Sequence, residues 1–174
     1  MGETKSSPAE EHRARGPRRV RCAVLTVSDT RTIETDRSGA LICELLEQAG
    51  HLVAARALVP DEEERVRAQV KEWLNDPAID VVLCTGGTGL SPRDRTCEAV
   101  LPLLDRKIDG FGELFRTLSY EEIGAAAMLS RAIAGTNGQK AVFVMPGSSG
   151  AVRLAMTKLI LPELTHLLGQ LRRA

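Results

Sequence analysis

Aromatic side chains are scarce: three Phe, one Tyr and one Trp, 3% of a 174-residue chain. Base-stacking platforms need rows of aromatic faces, so single-stranded nucleic acid is a poor fit as a partner. A charge excess to neutralise backbone phosphates is missing too, because 23 basic residues balance 23 acidic ones. No apolar stretch nears the ~20 residues of a membrane span, and the N-terminus lacks the apolar region of a secretory signal. Neither nucleic acid nor membrane is therefore expected as a partner. The four cysteines, Cys22, Cys43, Cys84 and Cys97, have no Cys-x-x-Cys spacing. They are expected to be reduced, packed thiols of a cytoplasmic protein rather than zinc ligands or disulfides. His12, His51 and His166 have no partners at ligand spacing and are expected at the surface.

What is present is aliphatic and periodic. Residues 1–18 are charged and small and predict a disordered tail, leaving residues 19–174 for one domain. From Val20 onward strand and helix patterns alternate. Arg21–Val27, Leu52–Val59, Ile79–Cys84 and Lys140–Met145 read as apolar strands. A helix capped by Ser38 carries Leu41, Ile42, Leu45, Leu46 and Ala49 on one face and closes at Gly50. The next helix opens with Glu62, Glu63 and Glu64 and turns Val66, Val70, Trp73 and Leu74 inward. Thr96 to Leu129 reads as mostly helical, with a fresh start at the capping box Ser119-Tyr120-Glu121-Glu122. The last helix reaches Leu171 with a kink at Pro162. This alternation predicts an α/β fold, a single doubly wound, mostly parallel sheet with helices on both faces.

In such a sheet the loops leaving the carboxyl ends of parallel strands share one edge, where ligands bind. Four loops fall there: Ser28-Asp29-Thr30, Pro60-Asp61, Thr85 to Asp94, and Pro146 to Ser149. The third is the most informative. Thr85-Gly86-Gly87-Thr88-Gly89 can turn sharply and aim backbone N–H groups at an anion. It lacks the Gly-Lys-Ser/Thr ending of a Walker loop and the third glycine of a dinucleotide fingerprint. Ser148 and Ser149 open a helix, another place that favours anions.

These motifs, in this order, resemble those of the MogA/MoaB family of molybdenum cofactor biosynthesis proteins, the molybdopterin adenylyltransferases. The resemblance rests on Leu25-Thr26-Val27-Ser28-Asp29, Val59-Pro60-Asp61, the Gly-rich loop with Arg93-Asp94, and Asp109-Gly110-Phe111-Gly112-Glu113. Ile123-Gly124, Ser130-Arg131-Ala132 and Met145-Pro146-Gly147-Ser148 complete it. It runs from about residue 20 to the C-terminus, and the segment Phe115 to Gly124 is closest to short MoaB-type members.

The resemblance implies a reaction in which the phosphate of molybdopterin attacks the α-phosphorus of ATP and pyrophosphate leaves. It puts catalysis and magnesium binding on Asp61 and Asp94. Substrate and phosphate binding falls on Ser28, Asp29, Thr85, Gly86, Gly87, Thr88, Gly89, Gly147 and Ser148. Glu113, Ser130 and Arg131 are further candidates; Glu113 could equally face solvent, and Arg131 could be a structural ion pair. Also implied are a homotrimer or homohexamer, with Phe111 and Phe115 as interface or core, and a downstream protein that inserts molybdate. The competing implication is a catalytically silent molybdopterin-binding protein. Silent relatives depart at one or both aspartate positions, and this chain keeps both.

Overall fold

The computed structural model describes residues 17–173, so nearly all of the expected tail lies outside the described residues. Six strands form one sheet: β1 (Arg21–Val27), β2 (Leu52–Val59), β3 (Val81–Thr85), β4 (Arg106–Lys107), β5 (Ile133–Asn137) and β6 (Lys140–Met145). Their order is β2-β1-β3-β6-β5-β4. The first four are parallel, while β5 and β4 add antiparallel at the β6 edge. The central strands β1, β3 and β6 are buried almost end to end. That burial is why they read as continuous apolar runs, covered on both faces, rather than alternating ones.

Six α-helices cover the sheet: α1 (Arg37–Gln48), α2 (Glu63–Asn75), α3 (Thr96–Val100), α4 (Asp109–Ile123), α5 (Ser149–Leu154) and α6 (Leu161–Leu171). One core holds Val24, Ile42, Leu46, Phe115, Phe143, Met156 and Leu164, under α1, α4 and the C-terminal helices. The other holds Leu25, Val66, Val70, Trp73, Val100 and Val144, under α2 and α3. Neighbouring residues Val24 and Leu25 go to opposite cores, as the two-residue period of a strand requires.

Several expectations are corrected. The N-cap of α1 is Asp36, whose carboxylate accepts from Gly39 N at 2.9 Å, while Ser38 Oγ donates to the Gly147 carbonyl instead. Ser119 starts no helix: it is buried in mid-α4, because the stripe Phe111, Phe115 and Leu118 packs as one continuous face. β3 begins at Val81, two residues later than the apolar run suggested, although the Asp80 backbone still bonds Arg21 O and Ala141 N. The hairpin β5–β6, turned at Gly138 (φ 56°), supplies a strand that the sequence pattern hid. Ahead of Pro162 the helix widens into a π turn over Ala155–Ile160, which accommodates the missing N–H.

His51 is buried rather than exposed, and its Nδ1 accepts from Val20 N at 3.4 Å. His166 is partly covered, with Nδ1 2.9 Å from Glu163 Oε2; His12 lies outside the described residues. Phe111 and Phe115 are core, with Phe111 edge-on to Phe143 at 5.2 Å between ring centroids. The cysteines are all free. Burial pushes the Cys22 and Cys84 thiols up to about 12 and Cys97 to about 11, which keeps them protonated. Among the described residues no helix is long and apolar enough to cross a membrane.

Candidate functional site

The four loops at the carboxyl edge are bonded to one another, and these bonds position the site. Ser28 N donates to Val59 O at 3.0 Å, joining the loops after β1 and β2. Asp29 extends that joint: its Oδ1 accepts from Asp61 N at 3.0 Å, and its Oδ2 accepts from Arg93 Nη2 at 2.7 Å. The Asp61 N–H and the Arg93 guanidinium hold the Asp29 carboxyl below its ordinary range. Asp29 is thus a tie between three loops. Thr85, buried at the end of β3, donates its hydroxyl to Pro146 O at 3.1 Å and ties in the fourth.

The Gly-rich loop needs its glycines for contact as much as for conformation. Gly86 (φ 95°) and Gly87 (φ 63°) occupy the left-handed region. A Cβ on Gly86 would land on the Val27 carbonyl; one on Gly87 would land on Thr96 Oγ1 and 2.8 Å from Asp61 Oδ1. A Cβ on Gly89 would sit 2.7 Å from Asp94 Oδ2, and one on Gly147 3.2 Å from Gly86 Cα. The loop therefore lies directly against both aspartates. Thr88 is buried inside it.

Asp61 Oδ1 accepts from Arg95 N at 3.3 Å, and Asp94 Oδ2 accepts from Ser91 N at 3.2 Å. Each aspartate keeps an oxygen, Asp61 Oδ2 and Asp94 Oδ1, that accepts no hydrogen bond among the described residues. Burial raises the Asp61 carboxyl above its usual range; the Arg95 N–H opposes this, and the negative Asp94 and Asp29 add to it. A cation beside Asp61 would relieve that repulsion. The described residues contain no cluster of three or more His, Cys, Asp or Glu that could cage a metal. Two carboxylates with free oxygens do fit magnesium, which takes one or two carboxylates and completes its shell with water and phosphate oxygens.

Two adjoining cavities, each about 340 Å³, meet at Gly86 and Gly147. One is walled by Gly87, Thr88, Gly89, Asp94, Ser130 and Arg131. The other is walled by Ser28, Arg31, Arg37, Ser38, Ser148 and Ser149, with Thr26 and Asp36 at its back. Ser130 thus joins the Gly-rich half and Ser28, Gly147 and Ser148 the serine half. Ser148 is also the N-cap of α5, accepting from Ala151 N at 3.2 Å.

Arg131 faces the loop rather than open space. Its Nε donates to Thr88 O at 2.9 Å, its Nη2 to Gly89 O at 2.8 Å and Asp94 O at 2.7 Å, and its Nη1 pairs with Glu98. The structural ion pair is the outcome, with a loop clamp added. Glu113 is not brought to the site: it lines a separate groove with Lys107, Asp109, Arg116 and Ala132, which none of the Gly-rich loop borders. The sequence reading missed Arg31, Arg37, Ser38, Arg95 and Thr96. Arg37 gave no signal, because a cap at Ser38 left it outside the helix that the structure starts at Arg37.

A profile described as "Probable molybdopterin binding domain" matches residues 23–166, and the chain belongs to this family. The molybdenum cofactor biosynthesis protein B of Bacillus cereus is 57% identical over 164 residues, covering 94% of this chain and 97% of that protein. A crystal structure of a molybdenum cofactor biosynthesis protein B superposes with a TM-score of 0.89 at 58% identity, over 91% of this chain and 99% of that one. The tungsten cofactor synthesizing protein MoaB from Pyrococcus furiosus gives a TM-score of 0.80 at 39% identity, covering 90% and 99%. A structure of MogA gives 0.79 at 29% identity, covering 87% and 99%.

Proposed function

We propose that the chain acts in molybdenum cofactor biosynthesis as an adenylyltransferase, joining the phosphate of molybdopterin to the α-phosphorus of ATP with loss of pyrophosphate. The observation that carries this reading is the placement of Asp61 and Asp94, each with a free carboxylate oxygen, directly against Gly87 and Gly89. Carboxylates beside a phosphate cradle would repel the substrates unless a cation lay between them. Asp61 and Asp94 would hold magnesium, which when bound would neutralise charge on the phosphates.

The chain's own residues do the positioning. N–H groups of the Gly-rich loop and the hydroxyl of Ser130 bind phosphate oxygens; Arg131 and Asp29 keep the loop and Asp61 in register. A phosphate oxygen of the pterin forms the new bond to phosphorus, and the bond from that phosphorus to the pyrophosphate oxygen breaks. The nucleophile is already an anion near neutral pH, so no side chain needs to take its proton. The barrier is electrostatic and geometric, and donors held in fixed positions lower it.

The reading carries a cytoplasmic place of action, self-association, and delivery of the adenylylated pterin to a protein that inserts molybdate or tungstate. The silent-binder alternative keeps the serine half of the cleft and makes no use of the two aspartates. Purified protein with molybdopterin and MgATP, followed by mass spectrometry, tests the proposal. A mass gain of one adenylyl group is expected; an unchanged pterin with full binding would hand the chain to the silent class.

A further inference from the structure

The cleft is electrically divided. In the Gly-rich half every guanidinium is matched: Arg93 to Asp29, Arg95 to Glu63, and Arg131 to Glu98. The free charge there is negative, on Asp61 and Asp94. In the serine half the carboxylate in the wall, Asp36, is fully engaged by Thr26, the Gly39 N–H and Arg56. Arg31 and Arg37 line that same cavity, and among the described residues neither guanidinium has an ion pair or hydrogen bond.

Arg37 is placed where an anion is favoured. It is the first residue of α1, at the positive end of the helix, and the N-cap carboxylate beside it, Asp36, is bonded to Gly39 N, Thr26 and Arg56 rather than to Arg37. Hydroxyl donors face the same space: Ser28 Oγ accepts from Thr30 N and Arg31 N, which leaves its proton to give, and Ser149 Oγ has no hydrogen-bond partner among the described residues. Two free guanidiniums with two free hydroxyl protons suit a phosphate dianion, and the carboxylate lining this half is already engaged.

We propose that Arg31 and Arg37 form a subsite for a metal-free phosphate dianion, the phosphomonoester end of the pterin, while the aspartate half takes the magnesium-bound triphosphate. The identity of that ligand rests on the adenylylation reading. The charge division then decides which phosphate enters which half, and the ridge of Gly86 and Gly147 lets the two meet.

The test is titration of the whole chain with inorganic phosphate in EDTA, by calorimetry, comparing wild type, R31Q/R37Q and D61N/D94N. Saturable binding to the wild type, at least tenfold weaker binding to R31Q/R37Q, and undiminished binding to D61N/D94N are expected. R31Q/R37Q should melt no lower than wild type, because neither guanidinium makes an ion pair or hydrogen bond among the described residues. Equal binding by R31Q/R37Q, loss in D61N/D94N, or no saturation of the wild type would each overturn the subsite. Pyrophosphate binding tenfold tighter than phosphate in EDTA would assign the cavity to the nucleotide instead, and overturn it too.

With molybdopterin and MgATP, R31Q/R37Q should raise KM for the pterin and leave KM for MgATP unchanged. If phosphate binds as expected and no adenylylated product forms, the adenylylation reading fails and the subsite stands. If R31Q/R37Q makes product with the wild-type pterin KM, the subsite fails and the reaction stands.

Discussion

Arg131 reaches across to the loop after β3 and donates from Nη2 to the backbone carbonyl of Asp94 at 2.7 Å. A residue some distance along the chain therefore sets where Asp94 can stand. The same guanidinium holds Thr88 and Gly89, so removing it frees the Gly-rich loop at three carbonyls. Arg131→Met is expected to lower stability by roughly 1–3 kcal/mol, the range for lost hydrogen bonds to a charged group. Turnover should fall roughly 10–100-fold, through Asp94. Arg131→Lys should not restore it, because an ammonium cannot span three carbonyls. Full activity in the lysine variant would reduce Arg131 to a bare charge.

Asp61→Asn and Asp94→Asn should each cut adenylylation about 100-fold or more. Neither removes a core contact, so urea midpoints should shift by less than about 1 kcal/mol. The double variant should be scarcely worse than either single, since two groups acting on one centre are not additive. Wild-type rates in both single variants would remove the mechanism.

Thr96 is fully buried, and its Oγ1 has no hydrogen-bond partner. Its place against Gly87, where a Cβ would also lie 2.9 Å from Asp61 Oδ2, puts an unmet hydroxyl beside the aspartate. Thr96→Val keeps the shape and removes the unmet group. Stability of the free protein should stay level or rise by about 1 kcal/mol. A loss of that size in chemical denaturation would mean that the hydroxyl is already bonded.

At the opposite edge of the sheet, Asp80 accepts from Arg21 Nη2 at 2.7 Å and from Arg172 Nη2 at 2.6 Å, pinning the end of α6 to β1 and β3. Burial pushes the Asp80 carboxyl up, but the Arg21 hydrogen bonds and the charges of Arg172 and Arg21 outweigh it, and the net shift is downward. A lowered acid adds stability in full above its unfolded value of 3.8 and loses it as pH falls through the folded value. His51 acts earlier. Burial lowers its pKa from 6.5, so its contribution begins to fade below that pH as the ring must charge. Asp80→Asn should cost about 3 kcal/mol at pH 7 and flatten the acid limb below pH 3.8, read from urea titrations. An unchanged limb would mean that Asp80 is not the acid-sensitive lock.

Leu114, Tyr120, Ile123, Met128 and Leu129 are all exposed on α4 and the turn after it. We propose that this surface, rather than the buried Phe111 and Phe115, is where copies of the chain meet as a trimer or hexamer. Light scattering should give three or six times the 18.8 kDa chain mass, and Ile123→Asp with Met128→Asp should yield monomers. A monomeric wild type at micromolar concentration would rule the assembly out.

Much of this was legible in the chain. Apolar runs at Arg21–Val27 and Lys140–Met145 have no polar face, which only a strand covered on both sides tolerates. The Gly-rich loop carried its meaning locally too, because Gly86 and Gly87 hold φ values that other residues avoid. Other expectations failed where a distant contact outbid a local preference. Ser38 turned from cap to tie because Gly147 lay within its reach, and Ser119 was absorbed into α4 by the packing of Phe111 and Phe115.

Periodicity and turn chemistry, which act between near neighbours, determined the sheet, its helices and the edge on which Asp61 and Asp94 would stand. Only the tertiary structure decided what each side chain meets there: Arg131 spent on the loop, Asp29 spent on Asp61 and Arg93, Glu113 turned into another groove, and Arg31 with Arg37 left free. The physical reason is that a charged group's role depends on whether a partner lies within about 4 Å, and that distance is set by how strands far apart in sequence are laid side by side.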